Sequence, residues 1–393
     1  MTDHRRPSTR SWPLLALLAG AFHAAGAQTP PLRLELAASG APAAPVTKPG
    51  ESVVVRSFVR DQTVLGFALY GPSFAASLAN EPVAYAAAYL VAGGGSWVAA
   101  RQLSASLTIN EPTSWLATQT ALRGAFTGWA IAVAADANRH NRAGGVFLGS
   151  LAGAAGAVAL GRGMTDGEVA ASVFGSDLAG LTGLAATHVA RPGALSRSRA
   201  GATAGAALLG YPLGYWYARS APYRVSPGDV NTLWTGAAIG ALASGAFIAS
   251  GDPSARTVAA TLGAGALAGT VLADRFLVRP YDHTPADGQF VALGAAAGGL
   301  MGAGIAILSG AAHDRVSTAT AALTAAGAVG GVAFIERWRA PLREGERVAR
   351  RGGAPARARE GARAASRLAL VPGGAPATLL GATGTHTILA WTF

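Results

Sequence analysis

The chain has 393 residues, of which 51% are hydrophobic and 13% are charged, and it contains no cysteine. Soluble domains carry about 25% charged residues, so this composition favours contact with a membrane. The lack of cysteine excludes disulfides, so packing must hold the fold together. The formal net charge is +11, and much of it is local, because ten arginines and three glutamates lie between Arg337 and Arg367.

Residues 1–27 have the pattern of a secretory signal peptide. Three arginines precede the apolar run WPLLALLAGAFHAAGA, and the small residues Ala25-Gly26-Ala27 end it. An N-terminal membrane anchor is the alternative, but the run is shorter than the roughly 20 residues that span a bilayer. We therefore expect export from a bacterial cytoplasm.

Residues 28–61 are predicted to form an Ala/Pro-rich linker with short strands. The segments LRLELAA and ESVVVRSF alternate between apolar and polar residues, and ASGAPAAPVTKPG separates them. Two helices are expected next, over QTVLGFALYGPSFAASLA and PVAYAAAYLVAGGGSWVAARQL. The helical region is therefore predicted to begin at residue 62.

Three later helix starts share a hydroxyl residue followed three positions on by an acid. The hydroxyl would accept a hydrogen bond from a free backbone N–H, and the acid would reach back to the cap residue. The predicted caps with their acids are Thr165 with Glu168, Ser226 with Asp229, and Thr284 with Asp287.

Small residues follow each cap at ten, fourteen and eighteen positions. Residues four apart share a helix face, so each helix is predicted to carry a stripe against which another backbone can pack closely. A fourth, degenerate copy has Gly124, Gly128 and Ala132, with Ser114 at the expected cap position and no acid. The three main stripes are Gly175, Ala179 and Gly183; Gly236, Gly240 and Ser244; and Gly294, Gly298 and Gly302.

The helices between these stripes carry glycine pairs of their own. Each pair has a four-residue spacing and precedes charged residues near the predicted helix end, and the pairs are Gly210 and Gly214, Gly265 and Gly269, and Gly327 and Gly331. We predict a mainly α fold over residues 62–338, with nine or ten helices arranged as hairpins that repeat about every 60 residues. Short β segments are expected near both termini.

Glycine within a helix costs about 1 kcal/mol relative to alanine. The stripes must recover this energy from close interhelical contact, or lie in lipid, where an unpaired backbone group costs several kcal/mol. The second condition favours a membrane-embedded bundle. A soluble periplasmic bundle packed through alanine and glycine is the alternative.

The C-terminal region is predicted to hold an Arg/Ala/Gly-rich linker over residues 339–365 and a β-hairpin or strand over residues 366–393. The segment from Arg337 to Arg367 would be a solvated tether or a contact for anionic lipid head groups. Nucleic acid is not expected as a partner, because Trp338 is the only aromatic residue near these arginines and stacking on bases needs several rings.

The final residues THTILAWTF alternate, with Thr387, Leu389, Trp391 and the terminal Phe393 on one face. This segment resembles the C-terminal insertion signal of bacterial outer-membrane barrel proteins. The resemblance implies an outer-membrane address, whereas the rest of the chain lacks the series of roughly ten-residue alternating strands that a full barrel requires.

Catalytic and cofactor motifs are missing from the sequence. HExxH, GxxxxGK[ST] and GxSxG do not occur, and the histidines are scattered singly. Asp282, His283 and Asp287 cluster in a turn and could hold a hard cation, although Asp287 already has a capping role. Asp177 lies inside an otherwise apolar helix and would be an intramembrane charge, which is a candidate for an ion or proton path.

The sequence therefore predicts a non-catalytic exported envelope protein without cofactor, a membrane-embedded or membrane-associated scaffold of small-residue-packed helix pairs. A transporter or pore and a soluble periplasmic bundle are the alternatives. Lipid is the expected partner, self-association is compatible with the stripes, and the outer membrane is favoured over the inner membrane or periplasm.

Overall fold

The computed structural model describes residues 52–191, 196–249, 253–309 and 318–351. Within these ranges the fold is mainly helical, with ten continuous helices and no strand. Short π-helical segments, Gly66–Tyr70 and Asp274–Val278, join α1 to α2 and extend α9. The α-helices are α1 Val53–Leu65, α2 Gly71–Leu78, α3 Pro82–Ser106, α4 Glu111–Ala134, α5 Arg139–Leu160, α6 Asp166–Ala190, α7 Arg197–Ser220, α8 Pro227–Ile248, α9 Ala255–Ala273, α10 Pro285–Leu308 and α11 Thr318–Arg351.

The helices form five hairpins along the described part of the chain. In the first, α1 and α2 together make the outbound arm and α3 returns; the other four pair α4 with α5, α6 with α7, α8 with α9, and α10 with α11. Each return helix also lies against the outbound helix of the preceding hairpin, as α11 does against α8. The hairpins are thus stacked in chain order, as in a helical repeat protein. We call the end that holds the N-termini of α4, α6, α8 and α10 the cap end.

The strand predicted over ESVVVRSF is wrong, because α1 begins at Val53. The Ser52 side chain accepts a hydrogen bond from the backbone N–H of Val55 at 3.2 Å and caps the helix. The buried positions follow a helical spacing, so tertiary packing outweighs the strand preference of the three valines. These buried residues are Phe58, Val59, Gln62 and Leu65. The helical region therefore starts nine residues before the predicted boundary at residue 62.

The boundary predicted between residues 338 and 339 is also wrong, because α11 continues to Arg351. Arg339 is buried and forms an ion pair with Asp287 of α10, so it belongs to the bundle and not to a linker. The predicted signal peptide, the strand at LRLELAA and the C-terminal segment 366–393 lie outside the described residues.

Capping boxes are present at the starts of α6, α8 and α10, on Thr165, Ser226 and Thr284. The helix α4, which carries the degenerate fourth copy of the stripe, is capped by Asn110 instead of Ser114: the Asn110 side chain accepts from the Thr113 N–H at 2.9 Å. Counted from Asn110, the offsets of ten, fourteen and eighteen fall on Thr120, Gly124 and Gly128. The four outbound helices α4, α6, α8 and α10 therefore keep the same distance from cap to stripe.

The glycine stripes bring backbones into direct contact within the hairpins. A Cβ added to Gly298 would stand 2.9 Å from the carbonyl carbon of Gly327, and one added to Gly128 would stand 2.9 Å from that of Gly145. Because real Cβ contacts are essentially never closer than 3.0 Å, a methyl group could not enter without a shift of backbone. Only a residue without a side chain fits at these crossings.

Six helices are long and apolar enough to cross a membrane: Pro82–Ser106, Arg139–Gly163, Asp166–Ala190, Ala255–Val278, Pro285–Leu308 and Thr318–Pro341. Their outer faces carry large exposed apolar side chains, such as Leu272 and Phe276 at the end of α9 and Leu300 and Ile307 on α10. Such faces suit a lipid environment, and together with the six long apolar helices they indicate a membrane protein.

Candidate functional site

Buried charged groups concentrate at the cap end, where the fourth hairpin meets the fifth. Asp229, His283 and Asp287 are at most 1% exposed, and Glu336 and Arg339 are below 10%. Ionisable groups are rarely buried to this degree without partners, because desolvation opposes the charged form. This cluster, which we call the cap-end cluster, is the candidate functional site of the described part of the chain.

The capping boxes of α8 and α10 place two of its acids. Asp229 is the third residue of α8, and its Oδ2 accepts from the Ser226 N–H at 2.9 Å, which leaves Oδ1 facing the next hairpin. The Ser226 hydroxyl donates to the carbonyl oxygen of His283, so the caps of α8 and α10 are bonded together. Gly228 permits this contact, since an added Cβ would stand 2.7 Å from the His283 carbonyl oxygen.

His283 lies between two carboxylates from different helices. Its Nδ1 is 3.2 Å from Oδ1 of Asp229 on α8, and its Nε2 is 3.0 Å from Oε1 of Glu336 on α11. The backbone N–H of His283 also donates to Asp229 Oδ1 at 3.3 Å. The ring of Tyr281 meets the imidazole edge-on with centroids 6.2 Å apart. One imidazole therefore joins α8, the loop before α10, and α11.

Asp287 forms the second part of the cluster. Its Oδ1 accepts from Arg339 Nε at 2.7 Å and Nη2 at 2.6 Å, and its Oδ2 accepts from the Thr284 N–H at 3.0 Å. The guanidinium of Arg339 also lies 5.2 Å from the centroid of the Phe290 ring. The same carboxylate thus caps α10 and anchors α11.

The metal site considered for Asp282, His283 and Asp287 does not form in the described residues, where no three such side chains are placed to hold an ion. Asp287 turns toward Thr284 and Arg339, while His283 turns toward Asp229 and Glu336. Capping and ion pairing direct these side chains apart.

Asp177, predicted as an intramembrane charge, lies between α6 and α4 and faces Arg123. The Arg123 Nε donates to Asp177 Oδ1 at 2.6 Å, and the guanidinium makes a second bond to Oδ2. A third bond runs from Arg123 Nη1 to Oε1 of Gln119 at 2.6 Å. The carboxylate is paired in the bidentate arrangement that is strongest for arginine.

A third polar cluster joins the third and fourth hairpins at the cap end. Asp274 Oδ1 accepts from the hydroxyls of Tyr217 at 2.7 Å and Tyr223 at 2.6 Å, and its Oδ2 accepts from Arg279 Nε at 2.8 Å. Burial, together with the Asp274 hydrogen bond, raises the pKa of the Tyr223 phenol well above its usual range. Tyrosines therefore bond the third hairpin to the fourth, and a histidine bonds the fourth hairpin to the fifth.

The predicted stripe residues lie inside the hairpins and not in the polar clusters. Gly236 and Gly240 face Gly269 and Gly265, with Ser244 against Gly265; Gly294, Gly298 and Gly302 face Gly331, Gly327 and Leu323; Gly175 faces Gly210, and Gly183 faces Ala206. Ala179 is half-buried on α6. Of the predicted site residues, the structure brings together Ser226, Asp229, Thr284 and Asp287 at the cap end, whereas Thr165 and Glu168 cap α6.

Sequence reasoning missed Arg123, Glu336 and Arg339 as partners. Each lies more than fifty residues from the group it bonds, so no local spacing relates the two. In comparisons with known proteins, no family model, curated protein or solved structure matches the chain.

Proposed function

We propose that the chain is a non-catalytic scaffold of the bacterial cell envelope, embedded in the membrane as a stack of helical hairpins. The observation that carries this proposal is the backbone contact within four hairpins, at crossings such as Gly298 with Gly327. Helices that touch along their backbones leave no room for a solute between them, and they hold one another in fixed register.

The polar clusters support the same role. Each joins neighbouring hairpins: Arg123 with Asp177 joins the second to the third, and the cap-end cluster joins the fourth to the fifth. In a low-dielectric setting, paired charges give specificity of partner and register more than they give net stability. We regard these bonds as the means by which hairpins select the correct neighbour.

A transporter or pore is the second candidate, and Asp177 favours it. Acids within membrane-spanning helices commonly mark ion or proton paths. The two candidates differ in what Asp177 does: in a scaffold it holds Arg123, whereas in a transporter it exchanges an ion during the cycle.

Reconstituted protein in planar bilayers and liposomes separates these candidates. A scaffold should remain in carbonate-washed membranes and give no conductance or proton flux above protein-free bilayers. A flux that Asp177→Asn abolishes would overturn the scaffold in favour of transport, and release by carbonate would favour a soluble bundle. The matched control is Asp136→Asn, because Asp136 also pairs with an arginine, Arg197, but lies exposed between α4 and α5.

The resemblance of the C-terminal sequence THTILAWTF to an outer-membrane insertion signal supports an outer-membrane address within this proposal. Fractionation of cells that express the full chain, compared with a variant in which Phe393 is deleted, tests it. The full chain should separate with outer-membrane markers, and the variant should do so less. Separation of both with inner-membrane markers would contradict the address without affecting the scaffold.

A further inference from the structure

We infer that Asp229, His283 and Glu336 form a buried proton-binding site, and that its proton bonds the fourth hairpin to the fifth. The site goes beyond the scaffold role because it gives the stack a ligand, the proton, on which one of its joints depends. We call these three residues the histidine triad.

The inference rests on a count of hydrogens. Both ring nitrogens of His283 face carboxylate oxygens, at 3.2 Å from Asp229 and 3.0 Å from Glu336. A neutral imidazole has one N–H donor and one acceptor nitrogen, and an ionised carboxylate has acceptors only. With neutral His283 and two carboxylates, one of the two contacts would set a lone pair against a lone pair. Two hydrogen bonds therefore require one additional proton.

The additional proton can lie on the imidazole or on one carboxyl group. In the first case the triad is an imidazolium between two carboxylates, and in the second it is a neutral imidazole with one carboxylic acid. The net charge of the triad is −1 in both cases. Without the proton it would be −2 in a site where Asp229 and His283 are at most 1% exposed, which opposes release of the proton.

Other ionisable groups approach the triad from every helix around it. Asp287 on α10 and Arg339 on α11 form a neutral pair beside the triad. Tyr281 packs on the imidazole, and Asp282 precedes it in the loop.

The proton adds to the backbone bond of His283, the bond between the caps and the Asp287–Arg339 pair, which already hold these elements together. It completes the bonds from α8 to the loop before α10, and from that loop to α11. Loss of the proton removes one of these bonds, because a neutral imidazole can donate to only one of the two carboxylates. The joint between the fourth and fifth hairpins is therefore expected to weaken when the site is deprotonated.

The pH dependence follows from the proton affinity of histidine in the two states. An unfolded histidine releases its proton near pH 6.5, whereas the triad retains its proton to higher pH. The stability that the triad contributes is present in full between about pH 5, above which unfolded carboxyl groups are ionised, and about pH 6.5, and it is lost as pH rises through the release point of the folded protein. Between these points the folding equilibrium constant changes by up to about tenfold per pH unit.

The first test locates the proton in the full chain in detergent. Protein labelled with ¹⁵N-histidine is compared with His283→Gln to assign the ring signals, and infrared difference spectra detect a protonated carboxyl. Near pH 7.5 we expect either two protonated ring nitrogens, or one together with a carboxylic acid band. A neutral ring without such a band overturns the inference.

The second test supplies the required hydrogen-bond donor by a substitution at Glu336. Glu336→Gln supplies an amide N–H that can donate to neutral His283 Nε2, so it should fold and lose the pH dependence. The melting temperature of the wild type should fall between about pH 6 and about pH 9, whereas that of Glu336→Gln should not. The control His140→Gln removes a histidine whose Nδ1 lies 2.9 Å from the carbonyl oxygen of Ala76 on α2. It should keep the wild-type slope, and equal slopes in all three proteins overturn the inference.

Discussion

Two adjacent glycines on α11, Gly330 and Gly331, provide a direct test of the backbone contacts. Gly331 faces Gly294 across the last hairpin, whereas a Cβ at Gly330 would have nothing within 4 Å. Replacement of each by alanine adds the same methyl group to the same helix, one residue apart. The difference between the two variants therefore reports the crossing alone.

The expected magnitude follows from the distances. A methyl group at Gly331 would lie 2.7 Å from the carbonyl carbon of Gly294, and ordinary contact begins at 3.4 Å. The carbonyl oxygen of Gly294 is nearer still, so the helices would have to separate by more than about 0.7 Å, and a gap of about 0.5–1 Å already forfeits a quarter to a half of the dispersion energy between the facing atoms. Overpacking of this kind costs about 1–3 kcal/mol.

At Gly330 the methyl group meets no obstacle, and the higher helix propensity of alanine should stabilise the fold by up to about 1 kcal/mol. Alanine at Gly331 gains the same helix propensity, so the two variants should differ by the overpacking cost of about 1–3 kcal/mol. Unfolding in detergent, followed by circular dichroism against denaturant or temperature, measures this difference. If both variants unfold together within about 0.5 kcal/mol, the close contacts contribute nothing and the reasoning fails.

Three further outcomes are expected. Asp177→Leu alone should cost about 3 kcal/mol because it leaves Arg123 without its partner, and the double variant with Arg123→Leu should recover most of the loss; additive losses in a double-mutant cycle would argue against the pair. Thr284→Ala removes a capping hydroxyl and should lower the free energy of unfolding by about 1 kcal/mol, and an unchanged denaturation midpoint would contradict the cap. Because burial and Asp274 raise the pKa of Tyr223, its contribution to stability is present below about pH 10 and is lost above it as the folded phenol titrates. Absorbance titration of wild type minus Tyr223→Phe checks this, and phenolate formation near pH 10 would contradict it.

Features set by short-range spacing could be predicted from the sequence. The stripe on α10 and its cap at Thr284 occupy one helix, so a spacing of four residues and a hydroxyl–acid pair were sufficient to locate them. Ser114 has no acid behind it, and the cap predicted there is wrong. Asn110 takes the position instead, since asparagine caps as well as serine and keeps the cap-to-stripe distance.

Features that depend on distant contacts could not be predicted in this way. The valines before Phe58 have strand propensity, and only packing of the later buried positions makes the segment helical. Arg339 lies in a run of arginines whose composition is that of a solvated linker, and its helical state depends on Asp287, 52 residues away. Likewise, Arg123 could not be matched to Asp177 before the order of hairpins was known.

Each return helix lies against the outbound helix of the preceding hairpin. This arrangement gives the stack a direction. If the hairpins are added in chain order, each one finds its docking face already complete, so assembly does not depend on later sequence. Removal of α10 and α11 should therefore leave the upstream hairpins docked. Removal of α1 to α3 should leave α5 without the outbound helix against which it docks, and should therefore disturb the docking of the hairpins that follow.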